Sequence, residues 1–153
     1  MPTISAGLLL YRAARAGPEV LLGHMGGPFW AGKETGAWSI FKGLPLPGED
    51  LLATARRETC EETGLAPVGP FLPLTSIRQA GGKRVQAWAT ATDADPAALR
   101  SNTFKGEWPP RSGRWRSFPE IDRFAWLDLP DARHRIVRAQ TALLDELAAL
   151  LAG

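Results

Sequence analysis

Gly43-Leu-Pro-Leu-Pro-Gly48-Glu49-Asp50-Leu-Leu-Ala-Thr-Ala-Arg56-Arg57-Glu58-Thr59-Cys60-Glu61-Glu62-Thr63-Gly64-Leu65 is the stretch on which the reading of this chain turns. Its first six residues hold two glycines and two prolines, which shape a loop rather than a regular element. Asp50 stands where an N-cap belongs, and Gly64 where a C′ glycine belongs. The pattern predicts a helix over 51–63. Each helical residue advances by about 100°, so Glu58, Glu61 and Glu62 fall in one arc of about 100°. Leu52, Ala55, Thr59 and Thr63 fall in a separate arc that can face a core.

Like charges three and four residues apart on a helix repel. An acidic face bathed in solvent is one explanation. A hard divalent cation is another, since Mg²⁺ and Mn²⁺ prefer carboxylate oxygens. The neighbouring residues favour the second: an ion pair between Glu49 and Arg57 would lock the loop onto the helix. Backbone carbonyls of the loop would then lie beside the carboxylates.

The segment resembles the Nudix box, G-x5-E-x7-R-E-U-x-E-E-x-G-U with U a bulky aliphatic residue. Gly43, Glu49, Arg57, Glu58, Glu61, Glu62, Gly64 and Leu65 occupy its fixed positions, and the box spans 23 of the 153 residues. The chain is similar, in its AWSIFKG approach and its Pro-Pro-Arg stretch, to a bacterial branch of predicted nucleoside-triphosphate pyrophosphohydrolases. The same approach loosely resembles dinucleoside polyphosphate hydrolases. Three positions depart from the pattern: Thr59 replaces an aliphatic residue, Leu46 a frequent glutamate, and Phe41 a proline common in that branch.

The resemblance implies an α/β fold, an α/β/α sandwich with a mixed β-sheet. It implies metal-dependent hydrolysis of a nucleoside diphosphate linked to another moiety. Glu58, Glu62 and Glu61, with the Lys42 carbonyl, become the expected ligands of Mg²⁺ or Mn²⁺. Glu49 becomes the structural partner of Arg57. The general base of several members lies outside the box. Glu120 is the candidate here, with Asp122 and Glu107 as alternatives, and no histidine is favoured: His24 is expected at a strand end and His134 on a helix surface.

Outward from the box, 3–11 and 19–24 read as a hairpin, and 37–41 as a short strand. Segments 70–79 and 83–92 read as two strands joined at Ala80-Gly81-Gly82. The stretch 93–113 is long and polar, 124–127 is a short strand, and 130–151 is helical, with Ile136, Leu143, Leu147 and Leu150 at helical spacing. Alternating strands and helices with hairpins predict a mixed sheet covered by helices.

A chain of 153 residues, 44% hydrophobic and 22% charged, is expected to form a single domain, and the resemblance implies one Nudix domain over 1–153. Cys60 is the only cysteine, so no intrachain disulfide can form. No secretory leader and no apolar run of roughly 20 residues is visible, so the expected setting is the cytoplasm, without a membrane partner. Net charge is only +2, which argues against extended nucleic acid as the main partner.

The expected partner is a small nucleotide-like diphosphate. Arg100, Lys105, Arg111, Arg114, Arg116 and Arg123 crowd the region before the last strand and suit phosphate. Arg78 could also reach a cleft. Phe29, Trp30 and Trp108 are the aromatics expected to meet a base. A catalytically silent nucleotide-binding module is the alternative, and a structural protein whose C-terminal helix serves a homodimer is a third reading.

Overall fold

The computed structural model describes residues 3–153. Two long strands, β1 (Ile4–Arg12) and β2 (Glu19–Met25), form the expected hairpin. The Trp38–Phe41 region divides into β3 (Trp38–Ser39) and β4 (Phe41–Gly43). β3 pairs with β2 and β4 pairs with β1, so the chain changes partners at Ile40 instead of continuing one strand. Helix α1 (Leu51–Thr63) follows, with both caps as expected. The Asp50 carboxylate accepts from the Ala53 N–H at 3.2 Å, and Gly64 takes the left-handed φ of 84°.

Beyond α1 the expected strand over 70–79 shrinks to β5 (Leu72–Pro73) and β6 (Ile77–Arg78). Both lie against β7 (Arg84–Ala91). The polar stretch contains a strand that its composition hides. β8 (Thr103–Glu107) pairs with β9 (Trp115–Pro119) as a separate two-stranded arm. The last strand, β10 (Ile121–Asp128), is twice as long as expected.

The sheet runs β10-β2-β1-β7-β5, with β1 and β7 parallel and its other pairs antiparallel. It is therefore mixed. The C-terminal helix breaks into α2 (Leu129–Arg135) and α3 (Thr141–Ala152). Tertiary bonds override the continuous apolar period here. Ile136 bridges Trp38, and the Val137 N–H donates to the Trp38 carbonyl at 2.8 Å. The buried Gln140 amide oxygen accepts from the Ile40 N–H, and its nitrogen donates to Ser39 and Gln79.

Successive residues of a strand point to opposite faces. Leu8, Leu10 and Leu21 pack with Ala55 of α1 on one face. Leu9, Val20 and Leu22 pack with Leu143, Leu144 and Leu147 of α3 on the other. Both faces are covered, which explains the nearly unbroken apolar runs of β1 and β2 and makes the α/β/α layering that the box implied. Among the described residues no helix is long and apolar enough to cross a membrane.

Candidate active site

Helix α1 is amphipathic in an unusual sense: its buried residues are Thr54, Ala55, Thr59, Glu62 and Thr63. The hydroxyls of Thr59 and Thr63 are satisfied within the helix, and that of Thr54 by Glu49 and the Asp50 carbonyl before it. Thr59 donates to the Ala55 carbonyl at 2.8 Å and Thr63 to the Thr59 carbonyl at 2.6 Å. Thr59 thus fills an aliphatic position without an orphaned polar atom.

The three carboxylates are not equivalent. Glu62 is buried, the Glu58 side chain is 17% exposed and the Glu61 side chain 42%. Burial pushes the Glu62 carboxyl up to about 8, with repulsion from Glu58 adding to it. Lys42 pulls it partly back. Burial also raises Glu58, reinforced by Glu61. Withdrawal from water lowers the Lys42 ammonium, against the pull of Glu62.

Arg57 organises the other side of this cluster. Its Nε and one terminal nitrogen form a fork onto Glu49, at 2.9 and 3.0 Å. Further bonds reach Glu58 and Glu61 at 3.1 Å each, and the Leu44 carbonyl at 3.1 Å. Five bonds use the full donor capacity of a guanidinium. Glu49 also accepts from Thr54 Oγ1 and the Leu46 N–H. With Arg57 its main partner, Glu49 is held at about 2. The expected lock between loop and helix is present.

Gly43 has a reason that backbone freedom does not supply. A Cβ there would overlap the carboxyl carbon and both oxygens of Glu58. The missing side chain lets the backbone of β4 touch that carboxylate. Among the described residues no three His, Cys, Asp or Glu side chains converge into a preformed metal cage, and Arg57 bonds to both Glu58 and Glu61. Glu58, Glu62 and the β4 backbone nonetheless form an all-oxygen donor set whose crowded carboxylates are only partly offset by Arg57 and Lys42. Mg²⁺ is commonly held by one or two carboxylates while keeping waters, so the residues fit such an ion.

Glu120 lies between β9 and β10, close enough that its charge raises both Glu58 and Glu62. Its own carboxyl is raised by partial loss of solvent. The backbone explains this placement. The Asn102 N–H donates to the Glu61 carbonyl at 2.9 Å, the Glu120 N–H to the Asn102 carbonyl at 2.9 Å, and the Gly26 N–H to the Glu120 carbonyl at 2.9 Å. A ladder thus runs from the carboxylate helix to the loop after β2. Nothing in the sequence marks Asn102 for this part.

The alternative carboxylates are committed elsewhere. Glu107 accepts from the Arg111 and Gly113 N–H groups and shapes the β8–β9 turn. Asp122 bonds to buried His24 at 2.7 Å. His134 is exposed on α2, and His24 lies at the end of β2, as expected.

Two cavities lie beside β10 and the β8–β9 arm, and no residue of the box lines either. The larger, about 700 Å³, runs beside β10. The smaller, about 390 Å³, lies between the Gly26–Trp30 loop and the β8–β9 arm. Phe29, Trp30 and Trp108 all line it. Phe104 and Phe118, paired across the arm, supply another wall. Sequence reasoning missed these two, although Phe104, Gly106 and Phe118 alternate like a strand face around the turn. Arg111 and Arg114 sit exposed on the arm, and Arg78 is exposed on β6; none of the three lines this cavity.

A NUDIX domain model matches residues 1–147. The chain belongs to the Nudix family, and with it to the hydrolases that act on phosphoanhydride bonds. Solved structures share the fold. An Ap4A hydrolase of C. elegans in a binary complex is 24% identical, with 97% of this chain and 98% of that one covered and a TM-score of 0.69. The NUDIX domain of Shewanella oneidensis NrtR complexed with ADP ribose is 16% identical, covering 100% and 90%, with a TM-score of 0.69. A MutT protein from Methanosarcina mazei Go1 is 19% identical, covering 99% and 97%, with a TM-score of 0.64. No curated protein sequence matches the chain significantly.

Proposed function

We propose that this protein is a divalent-metal-dependent pyrophosphohydrolase that cleaves a phosphoanhydride bond in a nucleoside diphosphate linked to another moiety. The observation that carries it is the meeting of Glu58, Glu62 and Glu120 beside Gly43, one backbone step from an aromatic cavity. Glu58, Glu61, Glu62 and the Lys42 carbonyl are the proposed ligands. Mg²⁺ or Mn²⁺, when bound, would neutralise phosphate charge and acidify the attacking water.

The chain's own residues do the rest. Arg57 and Glu49 hold the loop and fix the direction of Glu58. Glu120 accepts the proton of the attacking water, and its raised pKa brings it nearer the working pH of a general base. The aromatic cavity takes the planar base between Trp30, Trp108 and the phenylalanines. Arg111 and Arg114 on the arm, and Arg78, are proposed to meet the outer phosphates or the second moiety. A nucleotide-like substrate agrees with the Ap4A in the name of one neighbour and with the ADP ribose bound by the NrtR domain. The silent-module reading is weaker, because every box carboxylate is kept.

The test is a panel of nucleoside triphosphates, dinucleoside polyphosphates and ADP ribose, with products resolved by anion exchange. Wild type should release a phosphate or pyrophosphate product from at least one. Trp108→Ala should raise KM about tenfold through lost stacking while changing kcat little. Tight nucleotide binding with no product from any compound would favour the silent module.

A further inference from the structure

His24 is buried, at 1% exposure, and an oxygen faces each of its ring nitrogens. Nδ1 lies 2.7 Å from the Asp122 carboxylate and Nε2 lies 2.6 Å from the Lys33 carbonyl. A neutral imidazole has one donor and one acceptor. It would set a nitrogen lone pair against an oxygen lone pair at one of these contacts. An imidazolium satisfies both, with Asp122 as its counter-charge.

The other neighbours fit a cation. The Trp38 ring from β3 meets His24 edge to face at 5.3 Å. Beyond it, the Glu34 carboxylate accepts from the Trp38 indole and from Arg123 and Arg135. The Arg123 guanidinium lies 5.2 Å from the Trp38 ring. Arg123 and Arg135 are thus balanced by Glu34 together with Asp131, which pairs with Arg135, and Asp122 is the carboxylate in direct contact with His24.

Both partners of His24 lead to the site. Lys33 donates its N–H to the Trp30 carbonyl at 3.0 Å, so its own carbonyl ties the wall of the aromatic cavity to β2. Asp122 sits where the β10–β2 register shifts between Ile121 and Arg123. A bulge of this kind re-aims a side chain, and here it turns Asp122 onto His24 two residues after Glu120.

We propose that His24 is a positioning residue: protonated on both ring nitrogens, it clamps the Phe29–Lys33 loop to the β10 bulge and so fixes the aromatic wall relative to Glu120. The proposal rests on the hydrolase reading for its effect on turnover, but not for the clamp itself. Asp122→Asn keeps the shape of the contact and removes the counter-charge.

The experiment combines two readouts on wild type and Asp122→Asn. The first is ¹H–¹⁵N NMR of the His24 ring at neutral pH, with amide hydrogen exchange over residues 29–36. Wild type should show two ring N–H signals, and the variant one. Exchange in the loop should quicken about tenfold, the scale of one lost charge-assisted bond. The second readout is steady-state kinetics. KM should rise about tenfold, with kcat changed less than about threefold, because the Asn102 and Gly26 bonds still hold Glu120.

A single ring N–H in wild type overturns the proposal, as does a variant with unchanged loop exchange and unchanged KM. A wild type that turns nothing over, yet shows two ring signals and the exchange difference, upholds the clamp and defeats the hydrolase reading.

Discussion

Replacing Gly43 by alanine separates the chemistry of this site from its stability. The added methyl would overlap the Glu58 carboxyl carbon and both oxygens. Carbon atoms rest about 3.5–4 Å apart, so the carboxylate must retreat by more than about 1 Å. Glu58 is a flexible side chain, and it can leave without disturbing the β4 backbone. The fold should therefore tolerate the change, at a cost of about 1 kcal/mol. The site should not: a misplacement of about 1 Å costs roughly 100-fold in rate. The assay is kcat and the Mg²⁺ concentration for half-maximal rate, measured beside a thermal melt. The expected result is a near-normal melt, a rate at least about 100-fold lower, and weaker Mg²⁺ activation. A Gly43→Ala enzyme within about threefold of wild type would refute the reasoning, since Glu58 would then have no need of the space it occupies.

Three further outcomes follow from the same geometry. Glu62 has its carboxyl raised to about 8 in the folded chain. Its ionisation therefore destabilises the metal-free protein progressively as pH rises from its ordinary value near 4.5 toward 8. Added Mg²⁺ should raise Tm more at pH 8 than at pH 6, and Glu62→Gln should remove that difference. Glu49 is held at about 2, so its contribution is present above its ordinary value and lost as pH falls from about 4.5 toward 2. Arg57→Ala should flatten that part of an acid-unfolding curve, and Arg57→Lys should not restore it, because an ammonium cannot form the fork on Glu49. Glu120→Gln should lower kcat by about 100-fold or more with KM nearly unchanged, as loss of a general base does. Steady-state kinetics with the best substrate of the panel would show the opposite if Glu120 only shapes the loop.

Local rules read the box well because its structure is local. Asp50, Gly64 and the Glu49–Arg57 pair all act within 16 residues of one another, and the helix boundaries came out as the caps dictate. The carboxylate arc was also legible, but its inequality was not. Which glutamate is buried depends on the packing of α1 against β1 and β4, which residue type alone does not carry. The C-terminal helix misled for a related reason: its apolar period continues through Ile136, while Trp38, roughly 100 positions away in sequence, supplies the bonds that break it. The aromatic cavity was half visible. Phe29, Trp30 and Trp108 could be named as candidates, but only the pairing of β8 with β9 brings Phe104 and Phe118 against them. The ladder that places Glu120 is made of backbone groups of Asn102 and Gly26, and backbone pairing of this kind leaves no mark in residue type.

The most direct test of the central claim is turnover of the best nucleotide by wild type and by Glu62→Gln, each with and without Mg²⁺. The account predicts product from wild type only when metal is present, and a rate at least about 100-fold lower in the variant at any metal concentration. Equal rates in the two proteins, or full wild-type turnover in the presence of a chelator, would contradict it.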